Sequence, residues 1–262
     1  MTARLVRNRC SSMHEALAGC SSSVKPTYPP APSGLVVYLV GDIHGRLDLL
    51  LAAQKRIDRD SRRYVTKEVV EVYLGDYIDR GSHSAAVVSR LIERSDQVRA
   101  RFLRGNHEQL LLDFIHGGDR LDEWKAVGGT ATLLSYGISP DLLKHGTAPE
   151  KVRSALVDKV PKAHHAFYQA TGSYLVIGDY IAVHAGLRPR VSLEKQAIND
   201  LLSIRGEFLE HTGDFGYIVV HGHTPVPAPD FRQNRINLDT GAFASNRLTC
   251  IRISEEGVGI VD

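Results

Sequence analysis

Cysteine is scarce in this chain of 262 residues, which holds three: Cys10, Cys20 and Cys250. Three are too few for a disulfide framework, and two fall in a tail-like amino-terminal segment, so a reducing compartment and a cytoplasmic location are expected. Long hydrophobic runs are also missing. None approaches the roughly 20 residues that cross a bilayer, which argues against a helical membrane span. Net charge is nearly absent at +2, and four basic residues sit in the tail (Arg4, Arg7, Arg9, Lys25) against Glu15 alone. The remainder carries 28 basic against 29 acidic residues, which argues against a nucleic-acid footprint but is compatible with local positive charge at a phosphate site. What is plentiful is core material: at 43% hydrophobic and 24% charged, the chain can bury one substantial domain with room for an inserted lobe.

Residues 1–33 are rich in Ser, Arg and Pro and end in Tyr28-Pro29-Pro30-Ala31-Pro32-Ser33. With little apolar surface to offset ordering entropy, they are expected to be a disordered leader ahead of a domain at 34–262. Leu17-Ala18-Gly19-Cys20 is similar to a lipoprotein cleavage box, but no apolar segment of signal-peptide length precedes it. The arginines weakly suit an organelle transit peptide, and a start at Met13 or a misassigned start upstream would make the leader an artefact. The sequence does not choose among these.

From Leu35 the pattern is strand, turn, helix, three times over. Leu35 to Val40 runs into Gly41-Asp42-Ile43-His44-Gly45, Val69 to Leu74 into Gly75-Asp76-Tyr77-Ile78-Asp79-Arg80-Gly81, and Val98 to Leu103 into Arg104-Gly105-Asn106-His107-Glu108. Apolar stripes at helical spacing follow each turn, predicting an α/β core with a parallel sheet. Residues 117–172 lose the strand signal and read as an inserted helical lobe, in which Trp124 and the leucines are expected to be core. Beyond Gly172 the period returns to two. Tyr174 to Ile177 and Tyr180 to Val183 make a hairpin that delivers His184-Ala185-Gly186, a helical passage at Leu193–Leu209 carries Arg205, and Ile218 to Val220 ends in His221-Gly222-His223-Thr224-Pro225. Short strands at 235–238, 248–253 and 257–261 close the chain, with Asp239-Thr240-Gly241 between the first two, and a second sheet packed on the first is expected.

Carboxylates placed at the mouths of buried strands need partners to offset their desolvation. Strand ends in an open α/β sheet converge on one crevice, so these glycine-bounded turns would bring Asp42, His44, Asp76, Asn106, His184 and His223 together. Oxygen and imidazole donors in that mix suit Mn, Fe, Zn or Co ions, and a carboxylate such as Asp76 can bridge two of them.

The turns resemble those of the calcineurin-like metallophosphoesterases, and within them the bacterial members of the phosphoprotein phosphatase branch. Gly-Asp-x-His-Gly, Gly-Asp-x-x-Asp-Arg-Gly, Arg-Gly-Asn-His-Glu, His-Ala-Gly and Gly-His-Thr occur in family order over residues 41–225, and the resemblance extends over about 35–262. It implies two packed mixed sheets flanked by helices. It also implies a pair of metal ions: Asp42, His44 and Asp76 on the first, Asp76, Asn106, His184 and His223 on the second. A hydroxide bridging the ions would attack phosphorus directly. His107 would be the general acid and Asp79 its orienting carboxylate, with Arg80, Arg104 and, on a weaker match, Arg205 on the phosphate oxygens.

Broader phosphodiesterases of the superfamily end in Gly-His-x-His, whereas Pro225 stands at that last position here, which favours phosphomonoesters. His221 is left outside the ligand set in a structural role, and His14, His83, His116, His145, His164, His165 and His211 read as solvated surface. The expected activity is a protein serine/threonine phosphatase acting on a phosphoprotein or phosphopeptide. The alternative is a symmetrical bis(5'-nucleosyl)-tetraphosphatase acting on a small nucleotide. A non-catalytic phosphoprotein-binding module is the rival class, and an intact His107 and Asp79 argue against it, since binding needs no proton donor.

Overall fold

The computed structural model describes residues 26–262 and the backbone of residues 3–5. Cys10, Met13, His14 and the Leu17–Cys20 box lie outside the described residues.

In chain order, β1 (Ala3–Leu5) precedes the first strand–helix repeat, β2 (Leu35–Val40) with α1 (Leu47–Ser61). The next two repeats are β3 (Glu68–Tyr73) with α2 (Ser84–Gln97), and β4 (Ala100–Phe102) with α3 (Asn106–Ile115). Strands β2, β3 and β4 pair in parallel, Leu35 opposite Glu68 and Glu71 opposite Ala100. Alternation along β2 sorts its side chains onto two faces. Val36, Tyr38 and Val40 pack against α1 and α2, while Leu35, Val37 and Leu39 face the other sheet. A strand covered on both sides reads as an unbroken apolar run, as this one does.

Residues 117–172 contain α4 (Leu121–Ala126), α5 (Gly129–Ser135), α6 (Pro149–Lys159) and α7 (Lys162–Ala170), with α5 and α7 packed on α2. The break between α4 and α5 falls at Gly128, whose φ of 113° favours glycine. A Cβ there would lie 2.8 Å from the backbone nitrogen of Arg80, so only glycine lets the lobe approach the second turn so closely.

The second sheet begins with β5 (Tyr174–Ile177) and β6 (Tyr180–Val183), which form the expected hairpin. After α8 (Ile198–Ser203) and α9 (Gly206–Leu209) come β7 (Ile218–His221), β8 (Asp230–Phe231) and β9 (Arg235–Asn237), then α10 (Ala242–Ser245), β10 (Cys250–Ser254) and β11 (Gly257–Ile260). The sheet orders are β1-β5-β6-β7-β9-β8 and β11-β10-β2-β3-β4. The closing strands therefore divide: β9 joins the second sheet, whereas β10 returns to the first and pairs antiparallel with β2. Val37, Val72, Leu175, Ala182, Ile236 and Ile251 fill the space between the sheets, and Leu201, Ile204 and Phe208 cover the outer face of the second. The result is a four-layer sandwich of helices, sheet, sheet and helices.

The end of the leader differs from the expected disorder. Ala31 is buried, its N–H donates to the Ser254 carbonyl at 2.9 Å, and the Tyr28 hydroxyl donates to the Arg232 carbonyl at 2.9 Å. Tyr180 donates to the Pro29 carbonyl. A proline-rich strip has few donors to satisfy, so a handful of ring and carbonyl contacts suffices to seat it. No helix among the described residues is long and apolar enough to cross a membrane.

Candidate active site

All the glycine-bounded turns open at the carboxyl ends of β2, β3, β4, β6 and β7. Among the described residues, seven non-glycine residues adopt positive φ, and five of them are His44, Asp76, Asp79, Arg80 and His223. Left-handed backbone at such residues costs of order 1–3 kcal/mol each and persists only where the surroundings enforce it. At Asp76 that enforcement comes from Glu108, a buried side chain that the sequence marks only as part of a motif. Its carboxylate accepts from the backbone N–H of Asp76 and Tyr77 at 2.8 Å and of Gly105 at 2.9 Å, clamping the second turn to the third.

Asp76 lies at the centre of the cluster. Its Oδ2 is 3.6 Å from His44 Nε2 and 3.7 Å from His107 Nε2, and its Oδ1 is 3.4 Å from His184 Nε2. Two triads share it: His44, Asp76 and His107, and Asp76, His184 and His223. Asn106 Oδ1 joins the second, 3.1 Å from His184 Nε2 and 2.9 Å from His223 Nδ1. Backbone carbonyls aim the imidazoles inward: Ile78 lies 2.9 Å from His44 Nδ1, and Leu74 lies 3.0 Å from His184 Nδ1. Fixing one ring nitrogen in this way frees the other for a ligand.

Asp42 supplies the test of whether this cluster suits metal ions. Its Oδ2 accepts the His223 N–H at 2.9 Å, but its buried Oδ1 has no hydrogen-bond partner. Burial, then Asp239 and Asp76, push Asp42 well above the usual carboxylate range. Burial holds His44 and His223 down to about 3 and also lowers His184, so all three imidazoles are neutral. Crowded carboxylates with an orphaned oxygen, facing neutral imidazoles, are the donor set that a cation satisfies. The residues fit the group.

His107 is set apart by Asp79. Its Nδ1 donates to Asp79 Oδ2 at 2.6 Å, and its Nε2 lies 3.5 Å from Arg80 Nη2. Burial alone would lower this imidazole, but Asp76 and the bond to Asp79 outweigh burial and push it up to about 9. The bond to Asp79 therefore favours the protonated ring.

Asp79 in turn is held by the lobe. Trp124 Nε1 donates to Asp79 Oδ2 at 2.8 Å and Thr132 Oγ1 donates to Asp79 Oδ1 at 2.5 Å. From the sequence, Trp124 is expected in the lobe core. It is fully buried, and its indole N–H also reaches the site, which periodicity cannot reveal because hydrophobic spacing says nothing about where a donor points.

Arg205 donates from Nε to His223 Nε2 at 3.0 Å, and so borders the cluster. Arg104 lies differently from expectation. Its Nε donates to Thr171 at 2.9 Å, its Nη1 to Gln109 at 3.1 Å, and its Nη2 approaches the carbonyls of Tyr168, Gln169 and Thr171. A guanidinium this fully engaged ties β4 to the end of α7. Asp239 is an addition to the site: it is buried among the groups facing Asp76, Arg80 and Arg205, and burial pushes it up to about 6. His221 is buried edge-on to Phe208 and lies outside both triads. His164, expected on the surface, is buried between Ser89 and Tyr136.

Fold and site together define a metal-type phosphoesterase centre, with paired imidazole and carboxylate sets around a shared aspartate. The chain belongs to the calcineurin-like phosphoesterases, whose family profile matches residues 35–248. Members of that family use a two-metal centre. Among curated relatives it is 24% identical over 247 residues to bis(5'-nucleosyl)-tetraphosphatase PrpE [asymmetrical] of Anoxybacillus flavithermus, covering 84% of this chain and 91% of that one. It is 25% identical to the protein of the same name from Oceanobacillus iheyensis, covering 83% and 88%. Among solved structures, a cold-active protein-tyrosine phosphatase of a psychrophilic Shewanella species superposes with a TM-score of 0.54 at 15% identity, covering 98% and 89%. That likeness is one of fold.

Proposed function

We propose that the protein is a two-cation phosphohydrolase that cleaves a phosphate ester or phosphoanhydride by a single displacement, with His107 as the proton donor. The observation that carries this reading is the buried His107–Asp79 pair, bonded at 2.6 Å beside the shared carboxylate of Asp76. Asp42, His44 and Asp76 would hold one ion, and Asp76, Asn106, His184 and His223 the other. Asp42 rather than His107 completes the first set. Its Oδ1 lacks a partner, whereas His107 is already committed to Asp79 through Nδ1. When bound, two such cations supply Lewis acidity toward the phosphate and lower the pKa of water that attacks it.

The protein's own groups do the rest. Asp79 fixes His107 Nδ1, which leaves Nε2 as the nitrogen that would give its proton to the departing oxygen. Arg80 and Arg205 flank the cluster, and their planar forks suit the non-bridging oxygens of a phosphoryl group. Arg104 would reach those oxygens only by releasing α7.

For the substrate we favour a bis-nucleoside polyphosphate over a phosphoprotein, because the curated relatives quoted above carry that activity in their names. They are named for asymmetrical cleavage, so the products from bis(5'-adenosyl) tetraphosphate should be ATP and AMP in place of two ADP. The test loads the protein with Mn, Fe or Zn and offers that nucleotide, a phosphoserine peptide and a phosphotyrosine peptide in parallel. Failure of protein holding two ions to cleave any of them would overturn the proposal.

A further inference from the structure

One aromatic side chain beside the site has no part in the chemistry described so far. Phe243 on α10 is 39% exposed, and it is the only aromatic among the exposed large hydrophobic side chains of the described residues. The Arg80 guanidinium carbon lies 4.5 Å from its ring centroid, and the His44 ring meets it at 5.5 Å and 87°. The ring therefore borders both a proposed phosphate-binding arginine and a proposed metal ligand.

The backbone that carries Phe243 is pinned. Arg46 Nη1 donates to the Ala242 carbonyl at 3.0 Å and to Asn246 Oδ1 at 2.7 Å, tying both ends of α10 to the turn that holds His44. Thr240 Oγ1 donates to the Arg247 carbonyl at 2.8 Å across the base of the same loop. Left-handed residues at Gly241 and Asn246 turn the chain sharply on either side. A ring presented to water from so short and well-tied a segment is held out, since an idle phenyl would gain free energy by burial. Cation–π contact with Arg80 uses part of the ring, and the exposed remainder is left for a further partner.

We propose that Phe243 is a stacking platform for a planar aromatic ring carried next to the phosphate, so that the site selects base-bearing or aryl phosphates over aliphatic ones. The proposal rests on the reading of Arg80 as a phosphate-binding residue. Phe243 lies close enough to Arg80 for a ring attached to a phosphate held there to reach it, and aromatic pairs adopt centroid spacings of about 4.5–7 Å. Phosphoserine has no ring to offer, whereas a nucleotide and phosphotyrosine both do.

The experiment compares wild type, Phe243→Ala, Phe243→Leu and Phe243→Trp in two arms. In the first, metal-loaded protein is assayed on bis(5'-adenosyl) tetraphosphate, a phosphotyrosine peptide and the matching phosphoserine peptide. Phe243→Ala should reduce kcat/KM on at least one ring-bearing substrate by roughly five- to a hundredfold relative to phosphoserine, mainly through KM. Leu should behave like Ala, and Trp like Phe. Loss confined to the nucleotide assigns the ring to a base, and loss confined to phosphotyrosine assigns it to an aryl ester. In the second arm, calorimetry measures AMP, phosphotyrosine and inorganic phosphate binding without turnover, so the platform is tested even if hydrolysis fails and the proposed function falls. Selective weakening of AMP or phosphotyrosine relative to inorganic phosphate supports the platform. Equal losses on all ligands, no loss at all, or a Leu variant as good as wild type would overturn it and leave Phe243 a prop for Arg80.

Discussion

Thr132→Val separates the lobe's influence on the proton donor from mere packing. Valine keeps the volume and the β-branch, so no cavity opens, but the donor to Asp79 Oδ1, 2.5 Å away, is lost. The same hydroxyl accepts the Asp79 N–H at 2.9 Å and contacts Ser84 at 3.0 Å, so three polar groups lose a partner in a fully buried setting. Hydrogen bonds to charged groups are worth about 1.5–3 kcal/mol. For a protein of this size each kcal/mol shifts Tm by about 2–4 °C, which gives an expected fall of roughly 3–12 °C. Catalysis should suffer as well, because an Asp79 held only through Oδ2, by Trp124 and His107, can tilt and let the His107 ring drift. A loss of about tenfold in kcat corresponds to about 1.4 kcal/mol of transition-state stabilisation. The drift should matter most for poor leaving groups, so an alkyl phosphate should slow more than p-nitrophenyl phosphate, whose departing oxygen needs less protonation. Thr132→Ser should restore both quantities. A Thr132→Val protein that loses the two substrates equally, at unchanged metal content, would refute the link from lobe to proton donor.

Other variants address separate parts of the molecule. Asp76→Asn should lose both ions and all turnover, and elemental analysis finding two equivalents with near-normal activity would contradict the shared-ligand reading. Arg104→Met should lower Tm and speed proteolysis between α7 and β5, with less effect on KM than Arg80→Met; the reverse order would show that Arg104 serves the phosphate. His164 is held below its usual pKa, chiefly by burial and then by His165. Its neutral form is favoured in the folded state, so stability should be full above about pH 6.5 and decline as pH falls below that value, where the unfolded chain takes the proton first. His164→Gln should make that slope of Tm against pH between about 6.5 and 5 shallower by one residue's share, since His44, His184 and His223 contribute in the same sense.

Much of the architecture could be read from residues because its causes are local. Leu35 to Val40 had to be covered on both faces, being apolar throughout, and the glycines at 41, 45, 75, 81 and 105 marked turns where side-chain-free backbone passes close to its neighbours. The meeting of Asp42, His44, Asp76, Asn106, His184 and His223 followed from strand ends converging on one crevice. Long-range choices were hidden. Nothing in Cys250–Ser254 says that it returns to β2 and not to the second sheet, because register partners more than 200 residues apart leave no periodic trace. The direction of Arg104 was equally invisible: its motif suggests a phosphate ligand, but the acceptors that capture it arrive from α7, more than sixty residues later. Seating of residues 28–31 likewise depends on single contacts with Arg232, Ser254 and Tyr180, none of which a composition argument can register.

The indole and hydroxyl that Trp124 and Thr132 extend to Asp79 limit how such enzymes can be recombined. A chimera that exchanged residues 117–172 for a foreign helical segment would keep its six candidate ligands but deprive the acid's carboxylate of two donors unless the replacement brought equivalents in the same places. Diversification of this segment is therefore bounded from within, and library designs that vary it should leave those two positions and the adjoining Gly128 untouched.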